Sequence, residues 1–195
     1  GVSIICLAVT VSAVQTFVNL QQTRITIDPL TQLNNRTKLI QYLDKCVSHQ
    51  RSGTGRHLAL CMIDINDFKQ INDRFGHPEG DEALILLAET LKQVGAHFKG
   101  LIARYGGDEF FVVLETKSPL EVSAFRQELL DTLARNNAQA AKPYNVEISL
   151  GFADYDPQLT IPELIERTDQ ALYINKGISK SAKRRAISVD KSGLL

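Results

Sequence analysis

Two adjacent carboxylates, Asp108 and Glu109, follow two glycines in a stretch that reads Arg-Tyr-Gly-Gly-Asp-Glu-Phe-Phe. The apolar runs 101–105 and 110–114 on either side have the β-branched and aromatic composition of strands. Gly106-Gly107 is therefore predicted to form the tight turn of a β-hairpin. Glycine permits the positive φ of such a turn and leaves room for a bulky ligand near the backbone. The carboxylates would then stand at the hairpin tip, although Gly-Gly-Asp is also ordinary composition for a solvated turn.

A third carboxylate is predicted at the end of a buried strand. The continuous apolar run 58–63 has strand length and ends at Asp64. Carboxylates that converge from separate strands, here Asp64 and Asp108, suit a hard divalent cation such as Mg²⁺, which prefers oxygen ligands. A calcium EF-hand loop also begins Asp-x-Asn. Its glycine and glutamate positions are occupied here by Lys69 and Phe75, so that interpretation is excluded.

From about Asp28 to Val189 the chain resembles the GGDEF domain, the catalytic module of bacterial diguanylate cyclases. The chain departs from the family pattern at Gln32, where glycine is usual, and at Asn66, where a second aspartate is common. The basic ending expected over 177–181 matches only loosely. The motifs that carry the resemblance are, in chain order, 28–36, 64–73, 75–77 with 80–81, the signature at 106–110, 149–153 and 169–176.

This resemblance implies a diguanylate cyclase, which condenses two GTP molecules into cyclic di-GMP with release of two pyrophosphates. It also implies two Mg²⁺ ions per active site, with Mn²⁺ as an alternative, and a homodimer in which each protomer holds one GTP. In-line phosphoryl transfer needs positioning and cation neutralisation more than covalent help, which suits such a site. The order of helices and hairpin-related strands predicts an α+β fold with a central, mostly antiparallel sheet flanked by helices. By resemblance it is similar to the palm fold of nucleotidyl cyclases and polymerases.

The resemblance also implies individual roles. Asp64, Asp108 and Glu109 would be the catalytic residues and metal ligands, with the carbonyl of Ile65 as a backbone ligand. Glu109 could instead be the base near the attacking 3′-hydroxyl. The implied substrate contacts are Phe68 and Lys69 at the phosphate-binding turn, Asn72 and Asp81 at guanine, His77 beside the nucleotide, Gly106 and Gly107 in the signature turn, and Lys176 and Lys180 near the triphosphate. For His77 and for the basic run at Lys180, ordinary solvated side chains are the alternative.

A second function stays open from the sequence. A catalytically silent GGDEF domain could bind GTP or a cyclic dinucleotide and signal by contact. The intact carboxylates argue against it, whereas Asn66 and the weak match over 177–181 argue for it. Many family members also carry an Arg-x-x-Asp motif before the signature, where product binds and inhibits. The matching stretch here, His97 to Gly100, lacks both the arginine and the carboxylate, so strong product inhibition is not expected there.

Three regions are expected along the 195 residues: a hydrophobic helix over 1–27, the GGDEF domain over 28–190, and a tail over 191–195. Residues 1–23 carry no charge, and their length suits the cytoplasmic end of a transmembrane helix that continues as a linker. A dimerising signalling helix with heptad spacing is the alternative. The expectation is a cytoplasmic domain of an inner or cell-membrane protein whose N-terminal sensor is missing from this chain. Zero net charge argues against a nucleic-acid partner.

Hydrophobic periodicity and capping residues predict the remaining elements. Helices are predicted over 36–48, 67–74, 79–97 and 118–135, and another begins at 160. Strands are predicted over 58–64, 101–105, 110–114 and 146–153, and the short run 186–189 is predicted to close the sheet.

Overall fold

The computed structural model of the chain describes residues 7–12, 26–51 and 56–192. Its elements are, in chain order, β1 (Asn34–Asn35), α1 (Arg36–Arg51), β2 (His57–Ile65), α2 (Phe68–Phe75), α3 (His77–Gly95), β3 (Gly100–Gly106), β4 (Glu109–Thr116), α4 (Pro119–Ala140), β5 (Ile148–Asp154) and α5 (Ile161–Ser192).

The strands form one five-stranded sheet in the order β1-β3-β4-β2-β5. Three pairings are antiparallel, those of β3 with β4, β4 with β2 and β2 with β5. The two-residue strand β1 pairs with β3 in the parallel sense. The predicted α+β class and the antiparallel pairings are confirmed, while the sheet as a whole is mixed rather than antiparallel because of β1.

The central strands are buried on both faces, which explains their continuous apolar sequence. Alternate residues of β2 point to opposite faces because side chains alternate along a strand. One face packs against α2, α3 and α4, and the other against α1 and α5. The β2 residues on the first face are Ala59, Cys61, Ile63 and Ile65, and those on the second are Leu58, Leu60 and Met62.

The predicted strand over 186–189 is wrong, because these residues lie within α5. An alternating run of four residues fits a helix face as well as a strand, so its pattern alone does not separate the two. The other helices and strands predicted from residue 36 onwards are present. Helix α4 extends past the predicted end at 135 as far as Ala140, and α3 begins two residues early, at His77.

The predicted hydrophobic helix over 1–27 is described only in part. Residues 7–12 are helical, and residues 1–6 and 13–25 lie outside the described residues. None of the helices in the described part of the chain is both long enough and apolar enough to span a membrane.

Gly151 lets α5 pack directly against the backbone of β5. A Cβ atom at this position would lie 2.4 Å from the backbone nitrogen of Leu172 and 2.4 Å from the carbonyl oxygen of Thr168. We expect Gly151→Ala to lower the free energy of unfolding by about 1–3 kcal/mol, the usual cost of overpacking a rigid contact. Urea unfolding of the purified domain measures this change.

Gly177→Ala is the matched control, since Gly177 lies on the same helix and a Cβ there meets no atom within 4 Å. Alanine favours helix over glycine, so this variant should be as stable as the wild type or more stable. If Gly151→Ala unfolds at the same urea concentration as the wild type, α5 is not held to β5 as the structure indicates.

Candidate active site

Three polar side chains lie side by side on the neighbouring strands β4, β2 and β5. Asp64 on β2 is directly opposite Glu109 on β4 and opposite Ser149 on β5. The alternation of β2 places Asp64 on the face that packs against α5, with Leu60 and Met62. Directly opposed residues of antiparallel strands have Cβ atoms about 5 Å apart. The sheet register therefore brings the carboxylates of Asp64 and Glu109 together.

The signature turn differs by one residue from the prediction. Gly106 is the last residue of β3 and pairs with Glu109, so the two turn residues are Gly107 and Asp108, with Gly107 at φ 52°. A bulge at Tyr105 shifts the register just before the turn, as is common beside active sites. A Cβ at Gly106 or Gly107 would meet no atom within 4 Å. The backbone at this tip is thus open to a ligand.

Arg104 ties this turn to the segment before β1. Its Nε and Nη2 donate to the carbonyl oxygen of Gly107 at 3.0 and 2.8 Å, and its Nη1 donates to Asp28 Oδ1 at 3.1 Å. Burial alone would raise the pKa of Asp28, but hydrogen bonds from Thr31 and Arg104 outweigh it and lower that pKa below its usual value. Arg104 therefore bridges a stable carboxylate and the turn that carries Asp108.

Negative charge is concentrated around Glu109. Burial raises the pKa of this carboxyl, and the neighbouring carboxylates of Asp108, Asp64 and Asp169 raise it further, whereas Lys176 lowers it. Like charges disfavour ionisation when they share a site, and a cation relieves that repulsion. The site therefore has the electrostatic character of a place that binds positive charge.

Lys176 of α5 supplies one such charge. Its Nζ lies 2.7 Å from Asp64 Oδ1, and Asp64 is 9 % exposed. The resemblance implies a place for Lys176 at the triphosphate and for Asp64 at the metal, and the structure brings the two side chains together. An ammonium group this close to the carboxylates can exchange its partner for a phosphate oxygen.

Asp64, Asp108 and Glu109 together offer a donor set made of oxygen, which fits a hard cation in chemical type. Among the described residues, no three or more His, Cys, Asp or Glu side chains lie close enough together to hold a metal ion as they are positioned in this structure. At Asn66, where a second aspartate was noted as common, the side-chain oxygen accepts a hydrogen bond from Ser149 Oγ at 2.6 Å. The residues thus fit a cation by chemistry and crowded charge, and Ile65 adds a backbone carbonyl at the end of β2.

The predicted substrate contacts on α2 and α3 form a second group around the turn at Gly76. Asp67 has a left-handed backbone (φ 55°) immediately before α2, which then begins at Phe68 and Lys69. A Cβ at Gly80 would lie 2.0 Å from Asn72 Oδ1, so the amide of Asn72 packs on that glycine. His77 and Asp81 lie in the first turns of α3 with exposed side chains. The side chain of Lys180 lies outside the described residues.

Three residues that contact the candidate site were not identified by the sequence analysis. Asp169 adds negative charge at Glu109, Arg104 holds the signature turn and Ser149 bonds Asn66. Each lies in or beside a motif that the sequence analysis noted, so motif membership was the available signal. The pairing partners depend on sheet register, which composition does not reveal.

The stretch His97–Gly100 is occupied by contacts within the chain. His97 Nδ1 lies 2.6 Å from Glu128 Oε1, and Lys99 Nζ lies 2.7 Å from Glu115 Oε2. A Cβ at Gly100 would lie 1.8 Å from the carbonyl oxygen of Val113. There is consequently no room for a carboxylate side chain at this position without moving β4.

A family model described as the GGDEF domain of diguanylate cyclases matches residues 25–182 of the chain. The chain is 32 % identical over 162 residues to the diguanylate cyclase DosC of Shigella sonnei, covering 82 % of this chain and 35 % of DosC. It is 36 % identical over 158 residues to the diguanylate cyclase DgcP of Pseudomonas aeruginosa, covering 78 % of this chain and 23 % of DgcP. The chain thus spans about a third or less of the length of these curated relatives.

Among solved structures, the fold is similar to the coiled coil and GGDEF domain of DgcB from Caulobacter crescentus in complex with c-di-GMP. The TM-score is 0.77 at 26 % identity, and the match covers 87 % of this chain and 90 % of that one. A second similar structure is the diguanylate cyclase SiaD of Pseudomonas aeruginosa in complex with its activator SiaC. Its TM-score is 0.69 at 26 % identity, with 87 % of this chain and 66 % of that chain covered.

Proposed function

The chain belongs to the GGDEF family of diguanylate cyclase domains, and we propose that it condenses two GTP molecules into cyclic di-GMP with release of two pyrophosphates. The observation that carries the proposal is the cross-strand pair of Asp64 and Glu109 beside the signature turn. Asp108 adds a further carboxylate, and Lys176 lies against Asp64. Cation-binding carboxylates and a basic side chain near the phosphates recur in enzymes that transfer phosphoryl groups from triphosphates.

Asp64, Asp108, Glu109 and the carbonyl of Ile65 are the groups that would hold the two Mg²⁺ ions, or Mn²⁺ in their place. When bound, these ions neutralise the charge that develops during phosphoryl transfer and activate the attacking oxygen. The chain's own residues bind and orient the substrate. Lys176 is placed to contact the triphosphate, and the backbone amides at the start of α2 can donate to phosphate oxygens.

As the alternative to binding a metal ion, Glu109 would accept the proton of the attacking 3′-hydroxyl. Burial and the neighbouring carboxylates raise its pKa above that of an ordinary glutamate. A general base is most effective when its pKa is near the operating pH, so the shift is in the useful direction. Asn72 and Asp81 would recognise the guanine base from the α2–α3 turn, with His77 beside them.

Two half-sites are needed, because each protomer would hold one GTP and the product joins both. We propose that the active species is a homodimer in which the signature turns of the two protomers face each other. GTP supply argues for a cytoplasmic location, and the buried free thiols of Cys46 and Cys61 support it. Attachment to a membrane through the N-terminal segment remains part of this proposal.

The decisive experiment incubates the domain with GTP and Mg²⁺ and identifies the nucleotide products by mass. Cyclic di-GMP and pyrophosphate are the expected products, and omission of the metal should abolish them. Binding of GTP without turnover would support the second candidate, a catalytically silent signalling domain. The observation in favour of that candidate is Asn66, a neutral amide that bonds Ser149 and supplies no carboxylate.

We expect the cyclase to lack strong product inhibition at the stretch before the signature. Inhibitory binding at this position needs a planar, two-pronged arginine and a nearby carboxylate, and the chain has Lys99 and Gly100 instead. Lys99 is also paired with Glu115. Initial rates with added cyclic di-GMP should therefore stay close to the rate without it.

Lys99→Ala is the control for this prediction, because it removes the remaining positive charge at that position. Its rate should respond to product as the wild type does. Potent inhibition at low micromolar product that Lys99→Ala abolishes would contradict the prediction, whereas inhibition that survives Lys99→Ala would show that product binds elsewhere.

A further inference from the structure

Tyr144, in the loop between α4 and β5, contacts both helices that meet at Gly76. Its hydroxyl lies 2.8 Å from the carbonyl oxygen of Glu79 and 2.9 Å from Glu79 Oε2. Its ring packs against Phe75 in a tilted arrangement, with 5.2 Å between the centroids. Phe75 ends α2 and Glu79 lies in the first turn of α3, so one side chain holds both sides of the turn.

Lys142 strengthens this contact from the same loop. Its Nζ lies 3.0 Å from Glu79 Oε2 and 3.9 Å from Glu82 Oε2. Hydrogen bonds from Lys142 and then Tyr144 lower the pKa of Glu79. Glu79 is thus an anion whose carboxylate accepts hydrogen bonds from both Lys142 and Tyr144, and such charge-assisted bonds are stronger than neutral ones.

The turn held by Tyr144 carries the residues expected to recognise guanine. Gly76 has φ 90°, a conformation that needs glycine and that leaves the turn without a side chain of its own. The amide of Asn72 packs directly on Gly80, so a shift of the first turn of α3 displaces Asn72 and Asp81 together. External contacts must therefore set the position of this pair.

We propose that Tyr144, assisted by Lys142, is a positioning residue that fixes the first turn of α3 and so sets the affinity and selectivity of the site for guanine. Tyr144 acts through Glu79 and Phe75 and does not touch the nucleotide. The inference rests on the proposed function, since it assumes that the α2–α3 turn binds the base.

Tyr144→Phe tests it, because phenylalanine keeps the ring beside Phe75 and loses the hydroxyl proton that the carbonyl oxygen and Oε2 of Glu79 share. The probe is 3′-deoxy-GTP, which lacks the attacking hydroxyl and cannot be cyclised. We expect its Kd to rise about three- to tenfold, the scale of one lost hydrogen bond. The preference for guanine over hypoxanthine, measured with 3′-deoxy-ITP, should fall. In turnover with GTP, KM should rise while kcat at saturation stays close to that of the wild type.

Tyr155→Phe is the matched control. The hydroxyl of Tyr155 is buried and has no hydrogen-bond partner among the described residues, so its removal should leave nucleotide binding unchanged. Lys142→Met keeps the apolar stem, removes the charge at Glu79 and should also weaken binding. The double variant should lose less than the product of the two single effects, because both residues act through Glu79.

Three results would overturn the inference. An unchanged Kd in Tyr144→Phe, with normal binding by the wild type, would refute the inference alone. An equal loss of affinity for inorganic tripolyphosphate would refute it too, because that ligand has no base. Failure of the wild type to bind any guanine nucleotide would refute the proposed function and the inference with it. Lys142→Met provides the same measurement if Tyr144→Phe does not fold.

Discussion

Replacement of Asp108 by alanine is expected to reduce the rate of cyclic di-GMP formation by a factor of about 10² or more. Loss of one preorganised electrostatic partner of a transition state typically costs roughly 3–4 kcal/mol. Asp108 lies in the two-residue turn beside Glu109 and raises the pKa of that group, so its charge acts on the site directly. Steady-state product formation with saturating GTP and Mg²⁺ measures the effect.

Asp64→Ala should reduce the rate of cyclic di-GMP formation by a similar factor. Asp108→Ala is nevertheless the clearer test. Asp64 is buried and paired with Lys176, so its removal also leaves an ammonium group without its partner. Asp131→Ala is the control, because Asp131 is an exposed carboxylate on α4 and should keep full activity. Near-wild-type turnover in Asp108→Ala would contradict the assignment of the metal and catalytic carboxylates.

The carboxylate pair illustrates how far the sequence leads. An apolar run that ends in Asp64 and a hairpin with Glu109 just after its turn are both visible as patterns, and the strands form where they were predicted. The antiparallel register that sets these two residues opposite each other is a property of the sheet. The sequence predicted that Asp64 converges with Asp108, whereas the register sets Asp64 opposite the next residue, Glu109. The functional roles assigned to these residues stay predictions.

Other features could not be predicted because they involve a very short element, a local bulge or a contact between residues far apart in the sequence. Strand β1 has two residues, too few for any periodicity to appear. The turn is one residue later than expected because a bulge at Tyr105 shifts the register. The pair of Lys176 with Asp64 joins α5 to β2 across more than a hundred residues, and no local pattern encodes that contact.

Tyr144 shows why sequence analysis also overlooks residues that act on a site only through other residues. It lies outside the motifs that the sequence analysis noted, in a loop whose composition is unremarkable. Its contacts with Phe75 and Glu79 arise because α4 and β5 bring the loop against the α2–α3 turn. Sequence patterns therefore locate groups that bind ligands more readily than groups that position them.

The domain is expected to use GTP and to reject ATP by a factor of about 10³ or more. Sites built from hydrogen-bonding groups discriminate strongly against analogues that leave those groups unpaired, by about 10⁴–10⁵ in favourable cases. A carboxylate at Asp81 can accept from guanine N1–H and N2–H₂, and the amide of Asn72 can donate to the ring edge. Adenine lacks the N2 amine and presents an amine where guanine has a carbonyl, so Asp81 would be left unpaired. Parallel incubations with each nucleotide, analysed by mass, give the ratio.

Gly80→Ala tests whether Asn72 contributes to this selectivity. The added Cβ would lie 2.0 Å from Asn72 Oδ1, and the end of that side chain can rotate away with little cost to the fold. We therefore expect weaker binding of GTP and a smaller GTP-to-ATP ratio, with stability close to that of the wild type. Asp73→Asn is the control, since Asp73 follows Asn72 on α2 with an exposed side chain.

Comparable rates of cyclic dinucleotide formation from ATP and GTP in the wild type would refute the assignment of Asn72 and Asp81 to guanine.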